Sequence, residues 1–200
     1  MRAQHPFDRS RRRRPGRDAA LTAMGSRRLK RPIDRRRTRE GSAAIEFAMV
    51  ALPFFFMMFA VLELALVFLI DSVLENAAIE TGRLVRTGQA NAQDFNAASF
   101  KTSLCTRMSI FSSDCSTKVT VDVRPIPQFS NPNVPDPLNG PSFNPNTLGY
   151  DGGGPGDIML VRAWYQHTLL TPFLAQGLSK LNDGKAVLTA TTAFRNEPYD

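Results

Sequence analysis

Residues 41–70 are GSAAIEFAMVALPFFFMMFAVLELALVFLI, and this stretch decides the architecture of the chain. Between residues 47 and 70 the one polar side chain is Glu63, and Pro53 is the one residue that disfavours a helix interior. A 24-residue helix is roughly 36 Å long, against about 30 Å for the hydrocarbon core of a bilayer. The stretch therefore predicts a transmembrane helix. A buried core helix is the alternative, but core helices are usually shorter and amphipathic.

Charge is distributed unevenly along the 200 residues. Residues 1–40 contain 15 Lys and Arg against 4 Asp and Glu, a net charge of +11, whereas the whole chain carries +7 and the remainder therefore −4. Because positive flanks stay in the cytoplasm, the N-terminus is predicted to be cytoplasmic and residues from about 71 onward to be translocated. The basic arm contains one aromatic residue, Phe7, so a nucleic-acid partner is not expected.

The apolar stretch does not have the features of a cleavable secretory signal peptide. The stretch is about twice as long as a normal h-region, and no A-x-A-like site follows it. The small residues 41–44 precede it instead. A protease acting there would remove the basic arm and leave the hydrophobic helix on the mature protein.

The segment after the arm resembles a known family. Gly41, followed by Ser42 and then by Glu46 and Phe47, is similar to the Gly-x-x-x-x-Glu-Phe cleavage motif of type IV prepilins of the tight-adherence (Flp) pilus. Further short matches to TadE-like pseudopilins extend to residue 198. They are Ala44-Ile45-Glu46-Phe47-Ala48, Leu52-Pro53, Leu62-Glu63-Leu64, Glu75-Asn76-Ala77-Ala78, Gly82-Arg83, Cys115-Ser116-Thr117-Lys118-Val119, Pro155-Gly156-Asp157 and Ala193-Phe194-Arg195-Asn196-Glu197-Pro198.

The resemblance implies a minor pseudopilin that takes part in assembly of a tight-adherence pilus and is not an enzyme. It implies that a prepilin peptidase cuts between Gly41 and Ser42, with Glu46 and Phe47 used for recognition and assembly. Glu46 would pair with the α-amino group of a neighbouring subunit, or else be a solvated interfacial carboxylate. The implied partners are the bacterial inner membrane, the peptidase, other pilins and pseudopilins, and the pilus assembly platform.

Two alternatives concern the N-terminal part of the chain. Translation starting at Met24 would give an 18-residue leader ending at Gly41, closer in length to ordinary prepilin leaders. The second alternative is a different function: a single-pass extracytoplasmic scaffold or binding protein that uses the apolar stretch as a signal anchor and is never cleaved.

Glu63 is an unusual residue because an unpaired carboxylate inside a span costs about 2.5–3.5 kcal/mol. We expect it to be protonated or to face a polar group of another subunit in an assembly. The alternative is a position near the outer interface, where its side chain reaches water.

The predicted fold class is α+β. Residues 42–88 form a transmembrane and stalk helix after a cleaved basic leader, residues 1–41, and residues 89–200 form an extracytoplasmic head with a small antiparallel sheet and one or two short helices. Alternating apolar residues predict strands over residues 118–124, 158–165 and 186–194. Helices are predicted over residues 94–108 and after Thr171-Pro172.

Residues 125–156 contain 8 of the 14 prolines and 6 of the 13 glycines, and are predicted to be an exposed, irregular connection rather than part of the core. Cys105 and Cys115 have nine residues between them, so in an oxidising compartment they form a bridge, and otherwise two free buried thiols. No metal-ligand cluster, cofactor motif or nucleophile arrangement is recognisable, so no metal, cofactor or catalysis is expected.

Overall fold

The structure, a computed structural model, describes residues 35–130 and 132–199. The basic arm before residue 35 and the alternative start at Met24 lie outside these residues. The chain divides into the units Met1–Ala44 and Ile45–Asp200, and the second of these contains the sheets.

The dominant element is helix α1, Arg35–Arg86, which is 52 residues long. Its part Gly41–Arg86 is long and apolar enough to cross a membrane. The helix begins earlier than the predicted residue 42, because the sequence RRRTRE before Gly41 contains mostly good helix formers and no breaker. It ends near the predicted residue because Gly88 has φ +74°, and because the ring of Tyr199 covers Gly88 so closely that a Cβ there would lie 2.5 Å from it.

The head contains a three-stranded antiparallel sheet in the order β1, β4, β5, which confirms the α+β fold class. Strand β1 is Val119–Pro125, β4 is Ile158–Thr168 and β5 is Lys185–Arg195. These bounds lie within three residues of the predicted ones. The central strand, β4, pairs Ala163 with Val121 on one side and with Ala190 on the other.

Short helices connect α1 to the sheet. They are α2 (Gln89–Ala92), α3 (Ala97–Arg107) and α4 (Ser112–Lys118), with α5 (Pro172–Leu178) between β4 and β5. Helix α3 begins three residues later than predicted because Asp94 has φ +49° and the side chain of Asn96 caps the helix N-terminus. Helix α4 was not predicted, and a disulfide between Cys105 and Cys115 ties it to α3.

One stripe of α1 packs against one face of the sheet. The stripe repeats every three or four residues, as a helix face requires. It comprises Val67, Ile70, Leu74, Ala77, Ala78, Thr81 and Val85. The facing side chains of β4 are Met159, Val161, Ala163 and Tyr165. At Gly82 the absence of a side chain lets the ring of Phe194 approach the helix, since a Cβ there would lie 3.0 Å from the ring.

Most described residues of the Pro- and Gly-rich connection are exposed, as predicted, but part of it covers the opposite face of the sheet, which corrects the prediction that it is unpacked. It contains a two-residue hairpin, β2 (Leu138–Asn139) with β3 (Ser142–Phe143), whose Phe143 ring lies edge-on to Trp164 of β4 at 6.2 Å between centroids. The segment is irregular, as predicted. Part of it nevertheless packs against the sheet, where it shields Trp164, Asp122 and Arg162 from water.

Candidate processing site and membrane-facing surface

Every residue from 41 to 50 is exposed, including the four candidate residues Gly41, Ser42, Glu46 and Phe47. A Cβ placed on Gly41 would have no atom within 4 Å. The residues on both sides of the Gly41–Ser42 bond are therefore exposed. Gly41 lies inside α1, where glycine weakens a helix by about 1 kcal/mol relative to alanine, so the backbone around it is more easily unwound than its neighbours.

Exposed apolar side chains follow this site over about six turns of α1. Phe47 and Leu52 are each 73% exposed, and most other large apolar residues up to Leu62 are between 45% and 73% exposed. Monomeric soluble proteins rarely present such a large continuous apolar surface to water. This part of α1 is therefore suited to a hydrocarbon environment.

Glu63 is the first residue of α1 that the head buries, and it is 8% exposed. Its carboxylate accepts hydrogen bonds from the backbone N–H groups of Leu170 and Thr171, the latter at 2.8 Å. The partners of Glu63 therefore come from its own chain. The predicted alternatives were a protonated side chain, a polar group of another subunit, and open water, and they did not include this arrangement.

The structure separates the sequence-predicted residues into three places. Gly41, Ser42, Glu46 and Phe47 lie within two turns of α1, whereas Glu63 lies roughly 25 Å further along the helix axis at 1.5 Å per residue. The cysteines are in the head, with their Cα atoms 5.4 Å apart in the disulfide. Glu46 and Glu63 are therefore too far apart to act as a pair.

A buried charge cluster in the head was missed by sequence reasoning. Asp122 of β1 is fully buried and accepts hydrogen bonds from Arg124, from Arg162 at 2.7 Å and from the backbone N–H of Gly149 at 3.0 Å. Arg162 also donates to the carbonyl of Pro135 at 2.9 Å. The local pattern gave no signal for it, because Asp122 and Arg162 are 40 residues apart and become neighbours only through the pairing of β1 with β4. The cluster anchors the Pro- and Gly-rich cover to the sheet.

The cluster gives the head a specific pH dependence. Burial alone would raise the pKa of Asp122, but the hydrogen bonds from Arg124 and Arg162 outweigh burial and hold the pKa below its ordinary value of 3.8. The folded carboxylate then resists protonation more than the unfolded one, so its stabilisation is present above about pH 4 and is lost as the pH falls through the folded-state pKa.

We expect the free energy of unfolding of the wild type to fall as the pH is lowered below about 4, through the folded-state pKa of Asp122, and Asp122→Asn to lack this component. Urea titrations of the full chain in detergent, followed by the fluorescence of its single tryptophan, measure the free energy of unfolding of the wild type and of the variant at each pH. An equal acid sensitivity of wild type and variant would contradict this role for Asp122.

Among the described residues no group of three or more His, Cys, Asp or Glu is placed to hold a metal ion.

Comparison with known proteins gives one family. No curated protein and no solved structure matches the chain. The family model described as TadE-like protein matches residues 41–83, which begin at Gly41, include Glu46 and Glu63, and end beside Gly82. The TadE-like proteins of pili are structural proteins rather than enzymes. The resemblance found in the sequence is thus confirmed over residues 41–83, the part of the chain that is similar to the TadE-like family.

Proposed function

We propose that the chain is a membrane-anchored minor pseudopilin that takes part in assembly of a tight-adherence pilus after a prepilin peptidase removes its basic arm. The observation that carries the proposal is the position of the family match, which begins at Gly41, the residue expected before the cut. The extent of the match also argues for this function, since it covers the apolar part of α1 and most of the helix beyond it.

The accessibility of the site supports cleavage between Gly41 and Ser42. Proteases bind substrates in an extended form, so a helical site has to unwind before it is cut, and glycine lowers the cost of unwinding. An absent side chain also permits a close approach of the catalytic groups to the backbone.

Cleavage would change the electrostatics of the anchor. The arm carries +11 and the remainder −4, so the cut removes the whole positive charge that holds the N-terminus in the cytoplasm. It also removes the attraction of the arm to anionic lipids, at about 1 kcal/mol per basic residue near the surface. The mature helix would leave the bilayer for an assembly more readily than the precursor.

Glu46 would act after the cut. The new α-amino group at Ser42 and the Glu46 carboxylate lie about one helical turn apart at the same end of the span. In a low-dielectric assembly an amine and a carboxylate from neighbouring subunits would compensate each other and fix the register between the two helices.

The topology is part of the proposal. The arm lies in the cytoplasm and the head lies outside it, beyond the inner membrane. The disulfide between Cys105 and Cys115 supports this side for the head, because disulfides persist in oxidising compartments and are rare in the cytosol.

Deletion of the coding region is expected to abolish surface pili, and the wild type to restore them. Glu46→Gln is expected to restore few or none, because it removes the charge that pairs with the new terminus. Glu75→Gln, a matched change at an exposed carboxylate further along α1, is expected to restore them fully. The number of pili is measured by electron microscopy of sheared surface fractions.

Undiminished pili in the deletion strain would contradict the assembly role and favour the signal-anchored scaffold. Full restoration by Glu46→Gln would leave the assembly role intact and show that the charge of Glu46 is not needed.

A further inference from the structure

The head joins α1 within its apolar part rather than beyond it. The first buried residue of α1 from residue 41 onward is Glu63, which accepts hydrogen bonds from the N–H groups of Leu170 and Thr171. One turn later Val67 packs in a small apolar cluster with Leu169 and Ala186. The connection between β4 and α5 is therefore level with the outer end of the apolar stretch.

The spacing of the two acidic residues sets the depth of this contact. Glu46 and Glu63 are 17 residues apart in the sequence, which is roughly 25 Å along a helix, whereas the hydrocarbon core is about 30 Å thick. The two carboxylates therefore cannot lie outside the hydrocarbon core on opposite sides of one bilayer. If Glu46 is at the cytoplasmic edge, Glu63 lies about 5 Å inside the opposite edge, and tilt of the helix moves it further in.

The part of the head at this depth has an apolar surface. Residues 168–178, here called the membrane-contact segment, contain no charged side chain. Leu170 is 84% exposed and Phe173 is 67% exposed. Beside them is a groove of about 500 Å³. Its walls include Phe56, Phe59, Leu62 and Leu66 of α1 and Leu170 and Pro172 of the head.

We propose that the membrane-contact segment is inserted in the leaflet on the head's side, with Leu170 and Phe173 among lipid acyl chains that also fill the groove. The inference rests on the membrane anchoring in the proposed function. Interfacial segments of this kind place their apolar side chains about 5–10 Å deep, which agrees with the depth of Glu63. Exposed leucine and phenylalanine side chains are stabilised when they leave water for hydrocarbon.

The Glu63 carboxylate lies at the same depth as the inserted segment. A carboxylate below the interface loses its water, and two backbone N–H donors in place of water reduce the cost of that loss. The same donors fix the segment to the helix at one height. The head would consequently stand at a set height and orientation on the bilayer rather than swing on a free stalk.

Lipid is a better occupant than a second copy of the chain. The exposed surface of the segment is continuous, through the groove, with side chains of α1 that face hydrocarbon around a single span. Lipid is therefore already present at that depth. A second copy would have to cover the helix and the segment together before either surface left lipid.

The test uses the full chain in vesicles of phosphatidylethanolamine and phosphatidylglycerol with brominated acyl chains, which quench nearby tryptophan. The native Trp164 is 3% exposed beneath the Pro- and Gly-rich cover and supplies the baseline. Three single variants each add one tryptophan in place of an exposed phenylalanine: Phe173→Trp in the segment, Phe129→Trp at the opposite end of the sheet, and Phe54→Trp in the apolar part of α1.

We expect brominated lipid to remove most of the added emission of Phe173→Trp and Phe54→Trp, and none of that of Phe129→Trp. If brominated lipid quenched the added emission of Phe54→Trp but not that of Phe173→Trp, the inference would be wrong and the membrane anchor would still be supported. An unquenched Phe54→Trp would overturn the anchor itself, and quenching of Phe129→Trp equal to that of Phe173→Trp would overturn selective insertion.

Discussion

Gly41→Val is expected to leave the basic arm on nearly all of the protein. Valine adds a stiff, branched side chain at the bond to be cut, and it has a higher helix propensity than glycine, so the site fits a protease cleft less well and unwinds less easily. A misplacement of about 1 Å at a scissile bond can slow a reaction about 100-fold, and we expect a loss of that order. The ratio of precursor to mature chain after a pulse of synthesis measures it.

Gly177→Val is the matched control for this experiment. Gly177 is also an exposed helical glycine with no atom within 4 Å of a Cβ, but it lies in α5, far along the sequence from the cut. We expect it to be processed at the wild-type rate. Normal processing of Gly41→Val would contradict the assignment of the cleavage site.

Asp122→Ala is expected to destabilise the head by about 3–5 kcal/mol, since removal of one partner from a buried ion pair leaves an uncompensated charge. Arg162 is 8% exposed and would keep the carbonyl of Pro135 and the ring of Trp164, neither of which carries the negative charge that Asp122 supplies. The N–H of Gly149 would lose its acceptor as well. Because these bonds hold the cover on the sheet, the midpoint of urea unfolding and the emission of Trp164 should both change.

The control for Asp122→Ala is Asp183→Ala. Asp183 forms an ion pair with Lys185 at 2.5 Å, but its side chain is half exposed, and exposed pairs contribute about 0–1 kcal/mol. Equal losses of unfolding free energy in the two variants would show that the buried cluster contributes no more than a surface pair. Both variants are compared with the full wild-type chain in the same detergent.

Much of the fold was predictable from local patterns. The apolar residues 47–70 predict α1, and the alternation of Val119, Val121 and Val123 predicts β1, because each pattern repeats with the period of its own element. The Thr171-Pro172 pair marks the start of α5 for a similarly local reason. In each case the decisive information lies within a few residues.

The contacts that the sequence did not predict connect distant parts of the chain. Glu63 is more than 100 residues from Leu170, and Asp122 is 40 residues from Arg162. A polar side chain on a predicted strand is expected to face water, and the local pattern does not show that residues 126–148 cover it. Helix α4 has the polar sequence SSDCSTK, without an apolar repeat, and the disulfide of the buried Cys115 ties it to α3.

The most direct test of the central claim is the N-terminal sequence and intact mass of the membrane-extracted protein, from cells with and without an active prepilin peptidase. We predict a chain that begins at Ser42 when the peptidase is active and a chain that keeps the basic arm when it is not. An identical N-terminus with the arm retained in both samples would contradict processing as a pseudopilin.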